Sequence, residues 1–116
     1  MSVDDTVALA QSYLDSGRPF HAHEVLEALW KTQPAGERDL WQGLAQIAVG
    51  LTHAMRGNSV GATTLLRRGA GRVANYPGDT HGIDINGVLS WADALADPPD
   101  ADPPPLTLRP EPPLER

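Results

Sequence analysis

A chain of 116 residues suits one domain with a modest core. It has no cysteine, which excludes disulfides and thiolate metal sites. Nine basic against fifteen acidic residues give a net charge of −6, which argues against a general nucleic-acid or anionic-membrane binder. No uncharged apolar run reaches the roughly 18 residues that a membrane span needs. The opening Met1-Ser2-Val3-Asp4-Asp5 is acidic where a signal peptide is basic. Together these features predict a cytoplasmic protein with no membrane partner.

Five segments have helical periodicity, and strand signals are absent. The spacing predicts a first helix from about Asp4 to Ser16, with Val3, Val7, Ala10 and Leu14 on one stripe and Gly17 as its stop. A second helix is expected from Pro19 to Thr32, because proline suits the first helical position. Its apolar face is Ala22, Val25, Leu26 and Leu29. A third is expected from Glu37 to Arg56. Between Asp39 and Arg56 there is no charged residue, which marks a buried central helix. Leu40, Leu44, Ile47, Leu51 and Met55 form its stripe. Gly43, Gly50 and Gly57 recur every seven residues along one edge. Glycine weakens a helix, so this repeat predicts a closely packed neighbour.

Asn58 or Ser59 can cap a fourth helix running to Tyr76, with Ala62, Leu65, Leu66, Gly69 and Val73 inward. A fifth is expected from Ile85 to Asp97, capped by Asp84 or Asn86. The tail from Pro98 to Arg116 holds eight of the eleven prolines and cannot be helical. It is expected to be extended or disordered, with Leu106, Leu108 and Leu114 as anchors where it docks. The expected fold is therefore all-α: a single-domain bundle of about five helices over residues 1–97, followed by a Pro-rich C-terminal tail over 98–116.

Chemistry concentrates on the second helix. His23, Glu24, Glu27 and Lys31 share one face, and His23 and Glu27 are neighbours at four apart. An imidazole and two carboxylates at this spacing suit a divalent metal or acid–base work. They equally suit an ordinary solvated face. Phe20 and Trp30 on and beside that face argue against full solvation. The third helix places Gln42, Gln46 and His53 on its non-apolar side. If buried, these groups need partners, since an unpaired polar group costs about 1–3 kcal/mol. A polar layer between the second and third helices follows, centred on His23, Glu27, Gln46 and His53. Its metal-ligand candidates are His23, Glu27 and His53. His21 is expected to be exposed, and His81 to sit in a loop without a role.

A second concentration is basic. Arg56, Arg67, Arg68 and Arg72 fall in a stretch, Leu40 to Gly78, that has no acidic residue. They read either as partners for carboxylates on the first two helices or as a pocket for a small anionic ligand, with Arg56 and the helix start at Asn58 as donors.

Three segments together resemble the DUF309 family. They are Phe20-His21-Ala22-His23-Glu24-Val25-Leu26-Glu27-Ala28-Leu29-Trp30, then Gln42-Gly43-Leu44-Ala45-Gln46-Ile47-Ala48-Val49, then His53-Ala54-Met55-Arg56-Gly57-Asn58 leading into Gly61-Ala62. The resemblance covers about residues 7–97 and implies an all-helical bundle of undefined function. It marks His23, Glu24, Glu27, Trp30, Gly43, Gln46, His53, Gly57 and Asn58 as the motif positions. Ala45 departs from the pattern, where a larger aliphatic residue is usual. The primary reading is an uncharacterised helical domain with a semi-buried polar network. The alternatives are a metal-dependent hydrolase using His23, Glu24, Glu27 and His53, and an anion- or partner-binding module using the four arginines. Whether the chain is an enzyme is left open, and self-association suits so small a bundle.

Overall fold

The computed structural model describes residues 2–110. Five helices follow one another: α1 (Val3–Asp15), α2 (Pro19–Thr32), α3 (Arg38–Met55), α4 (Ser59–Val73) and α5 (Ile85–Ala96). There is no strand among the described residues. None of their helices is long and apolar enough to cross a membrane.

Local chemistry sets the helix ends. The Ser2 hydroxyl accepts from the Asp5 N–H and caps α1. Asn58 caps α4 and Asp84 caps α5 in the same way, each accepting from the amide three residues on. Pro19 opens α2, which has no side-chain cap. Gly17 and Gly57 turn the chain with φ near +74° and +78°, a conformation that suits glycine. A single 3-10 turn, Ala35–Glu37, precedes α3. The expected fourth helix ran on to Tyr76, but α4 stops at Val73. Pro77 disfavours helical backbone before it, and the Tyr76 hydroxyl donates to the Gly36 carbonyl instead.

The main helix pairings are sequential, and α3 packs on both α2 and α4. The α3–α4 contact is set by glycine. A Cβ on Gly43 would lie 2.8 Å from the Gly69 carbonyl oxygen, and one on Gly69 would lie 2.5 Å from that of Gly43. Further along, a Cβ on Gly50 would meet Leu66 at 2.8 Å. Higher numbers on α3 meet lower numbers on α4, so the two helices are antiparallel. Gly57 does not share this role. It faces open space and forms the turn between the two helices.

The core gathers around α3. Trp41, Leu40, Leu44 and Ile47 are fully buried there, against Leu26 of α2, Leu66 and Val73 of α4, and Val88 of α5. Trp41 was not on the expected stripe, yet it is the largest fully buried side chain. Met55 was on that stripe and is 41% exposed, because it falls on the last turn of α3, beyond the packed core.

The segment 98–110 lies against the bundle as a strap. Leu106 and Leu108 are buried in the same core cluster. The Gln11 amide of α1 reads the strap's backbone at two points. Its Nε2 donates to the Leu106 carbonyl at 2.9 Å, and its Oε1 accepts from the Leu108 N–H at 2.8 Å. The Trp91 indole donates to the Pro104 carbonyl, and Arg109 reaches both the His81 carbonyl and Asp4. The proposed anchor Leu114 lies outside the described residues.

His81 is more than a loop residue. It holds a left-handed φ of +52°, pairs with Glu37 at 2.7 Å and packs its ring against Trp41 at a tilt of 46°. These contacts, with Arg109 on its carbonyl, offset an unfavourable backbone conformation.

Two outcomes follow. Gly43→Ala or Gly69→Ala should destabilise the fold by about 1–3 kcal/mol, since backbone must move. Gly71→Ala, helical and facing open space, should stabilise it by about 0.5–1 kcal/mol. Denaturant titration of the three variants measures both signs. Gln11→Ala removes both the donor to the Leu106 carbonyl and the acceptor for the Leu108 N–H. Amide hydrogen exchange at Leu108 should accelerate, while exchange in α3 stays slow.

Candidate functional site

The polar face of α2 folds onto itself. Glu27 accepts from His23 Nε2 at 2.9 Å and from Lys31 Nζ at 3.0 Å, so three residues spaced four apart form one chain along the helix. The His23 and Glu27 side chains are 21% and 31% exposed, and Lys31 is 64% exposed. The Lys31 hydrogen bond holds the Glu27 carboxyl below its ordinary value. Partial burial opposes this, and the charge of Lys31 and the contact with His23 reinforce it. Because Nε2 of His23 donates to Glu27, Nδ1 is left as an acceptor. It is buried and has no hydrogen-bond partner among the described residues. Glu24 lies one turn from Phe20, exposed and without an ion pair among the described residues.

α3 meets this face across a cavity of about 190 Å³. From α2 come His23, Glu27 and Trp30; from α3 come Gln42, Ala45, Gln46 and Val49; from α4 comes Leu65. Its walls are therefore partly apolar and its polar groups come from both helices. No hydrogen bond runs directly from His23 or Glu27 to Gln42 or Gln46. Gln46 turns toward α4 instead, where its Oε1 accepts from Arg72 Nε at 3.1 Å. Arg72 also pairs with Asp39 at 2.7 Å. Gln42 and the Trp30 indole N–H, both half-buried, have no hydrogen-bond partner among the described residues.

His53 stands apart from this cavity. Its Nδ1 lies 3.0 Å from Asn58 Nδ2. The Asn58 Oδ1 is fixed by the Gly61 N–H at 3.1 Å, so its amide nitrogen must face the histidine and donate to it. Gly61 has no alternative here: a Cβ would meet Asn58 at 2.7 Å and His53 at 3.1 Å. His53, Gly57, Asn58 and Gly61 thus build the α3–α4 turn. The expected layer divides into three parts: His23–Glu27–Lys31, Gln46–Arg72–Asp39, and His53–Asn58. Among the described residues no group of three or more His, Asp or Glu side chains converges as a metal-ligand set. The candidates His23 and Glu27 meet each other, and His53 meets neither.

The four arginines also separate. Arg72 is occupied by Asp39 of α3, not by a carboxylate of the first two helices. Arg67 and Arg68 are exposed on α4, and Arg56 lines a groove at the end of the bundle. Trp41 and the Glu37–His81 pair are the polar-aromatic cluster the sequence reading missed. A tryptophan four residues after a glutamate was the available signal, and the Trp41 indole does approach Glu37 at 3.4 Å.

A lowered Glu27 pKa fixes a sign. Stability from the ionised carboxylate is present above the ordinary glutamate value near 4.5 and is lost as pH falls through the lowered folded-state value. Glu27→Gln should cost about 0.5–1 kcal/mol at neutral pH. That difference should shrink as pH falls below 4.5 and vanish once Glu27 is protonated in the folded protein as well, which denaturant melts across pH measure.

A family model described as a domain of unknown function, DUF309, matches residues 7–65. The match holds every residue that lines the cavity and excludes Arg67, Arg68 and Arg72. The "Uncharacterized protein YpuF" of Bacillus subtilis (strain 168) is 39% identical over 64 residues. That similarity covers 48% of this chain and 37% of the Bacillus protein, well under two thirds of its length. No solved structure matches the chain.

Proposed function

The chain belongs to the DUF309 family, whose function is undefined, and on that premise we propose that it is a binding domain for a small molecule held between α2, α3 and α4. One observation carries the reading. The buried Nδ1 of His23 has no hydrogen-bond partner among the described residues, and its side chain lines a partly apolar cavity beside Gln42 and the Trp30 indole, which make no hydrogen bond to the described residues. The volume, about 190 Å³, falls below the roughly 300–1,000 Å³ of sites for drug-sized ligands. The ligand is accordingly fragment-sized. It offers an acceptor to Trp30 and Gln42 and a flat or apolar body to Trp30, Val49 and Leu65. Glu27 lines the cavity with its charge already met by Lys31 and His23, and does not demand a charged ligand.

The hydrolase reading has less behind it. It needs His53 beside His23 and Glu27, and the Nδ1 of His53 is engaged by Asn58. A divalent metal at His23 and Glu27 would have two protein ligands, where zinc sites use three or four. Titrating the protein with zinc or manganese checks this: binding tighter than millimolar that Glu27→Gln removes would restore the metal reading.

Ala45 provides the test of the cavity. A leucine there would place three further carbons into the space that Ala45 borders. A fragment library screened by amide chemical-shift perturbation should give hits that move Trp30, Gln42 and Gln46. Ala45→Leu should abolish those shifts while the protein stays folded. Hits that map elsewhere, or that bind Ala45→Leu unchanged, would sink the proposal. A genuine ligand at about 100 times its Kd should add about 2.7 kcal/mol to stability.

A further inference from the structure

Among the described residues three large hydrophobic side chains are exposed: Phe20 at 46%, Met55 at 41% and Val60 at 79%. They belong to the start of α2, the end of α3 and the start of α4. Phe20 is a ridge between two surface grooves. One, of about 390 Å³, runs past Met55 and carries Arg18 and Arg56, with no carboxylate in its lining. The other, of about 340 Å³, runs along α2 past Ala28 and carries Glu24 and Glu27. Glu27 is already engaged by His23 and Lys31. Glu24, Arg18 and Arg56 make no ion pair among the described residues. An aromatic knob thus stands between two hollows, each large enough for an aromatic side chain, with unspent charge of opposite sign on either side.

We infer that this surface is a two-fold interface between two copies of the chain, with Phe20 of each copy seated in the other's basic groove and Glu24 of each facing Arg56 of the other. The occupant follows from self-complementarity. A two-fold contact sets residue i against j and j against i, so a patch that is its own complement in shape and charge suits it. A separate acidic partner would satisfy Arg18 and Arg56 but would bring its own negative charge against Glu24. A basic partner would have the converse fault. A second copy satisfies both grooves at once and removes Phe20 and Met55 from water. The acidic groove adjoins the proposed ligand cavity through His23 and Glu27, but the interface contacts, Phe20, Glu24, Met55 and Arg56, do not line that cavity.

Sedimentation equilibrium of the full chain over rising concentration tests the inference. The wild type should dimerise and Phe20→Ser should be monomeric; Met55→Ser probes the same contact from α3. Arg56→Glu and Glu24→Arg should each weaken self-association by about tenfold or more, since each sets like charges together twice. Mixing the two single variants should restore association as a heterodimer, because both contacts then regain opposite charges. All these side chains are exposed, and circular dichroism checks that each variant keeps its helices. A wild type that stays monomeric up to about 1 mM overturns the inference. So does a dimer insensitive to Phe20→Ser, or a mixture that associates no better than its components.

Discussion

The backbone contact between Gly43 and Gly69 governs the arrangement of everything else. Two helices that touch at glycine approach closer than side chains allow, and each Cβ that is absent would otherwise strike a carbonyl oxygen. This draws α4 onto one edge of α3 and brings Arg72 to Gln46 and Asp39. α2 must then cover another side of α3. There the facing residue is Ala45, too small to fill the gap, and a cavity with polar groups from both helices results. The same packing that buries the centre of the bundle leaves a hollow beside the polar face of α2.

The family motif separates into physical roles once those contacts are known. Gly43 serves close packing. His53, Gly57, Asn58 and Gly61 form one turn, in which an asparagine caps α4 with its oxygen and donates to a histidine with its nitrogen. His23, Glu27, Trp30 and Gln46 line the cavity, joined by Gln42, and Glu24 stays at the surface. A sequence motif read as one constellation is therefore three devices on one pair of helical connections. The cavity group holds a buried acceptor without a partner among the described residues, His23 Nδ1, and for that reason it is the part with a ligand-binding role to propose.

The strap and the His81 cluster join α1, α5 and the start of α3. Gln11 offers a donor and an acceptor to the backbone on either side of Thr107, much as a neighbouring strand would. A proline-rich segment has few N–H groups of its own, so a side-chain amide and the Trp91 indole fix it where helix or sheet cannot. Arg109 then ties the strap to Asp4 at the start of α1 and to the left-handed residue His81, whose ring packs tilted against Trp41. Residues remote in sequence thereby seal the core at its largest side chain.

The sequence by itself determined the helices, because apolar periodicity, Pro19, the capping Asn58 and Asp84, and the glycine stops act over a few residues. It also determined that α3 is central, since a run without charge has to be buried, and that its glycines mark a close neighbour. The polar face of α2 was legible as a face. Only the tertiary structure decided how that face is used. Periodicity says which side chains share a helix surface, but a hydrogen bond depends on ångström placement across helices, so Gln46 went to Arg72 and His53 to Asn58. Met55 shows the same limit, for a stripe does not reveal where the core ends. Trp41 and His81 were missed because their contacts come from a loop more than forty residues away in the chain. What was first a row of polar residues on one helix is thus a largely internally paired edge of a small cavity, and its remaining capacity lies with His23 Nδ1, Trp30 and Gln42.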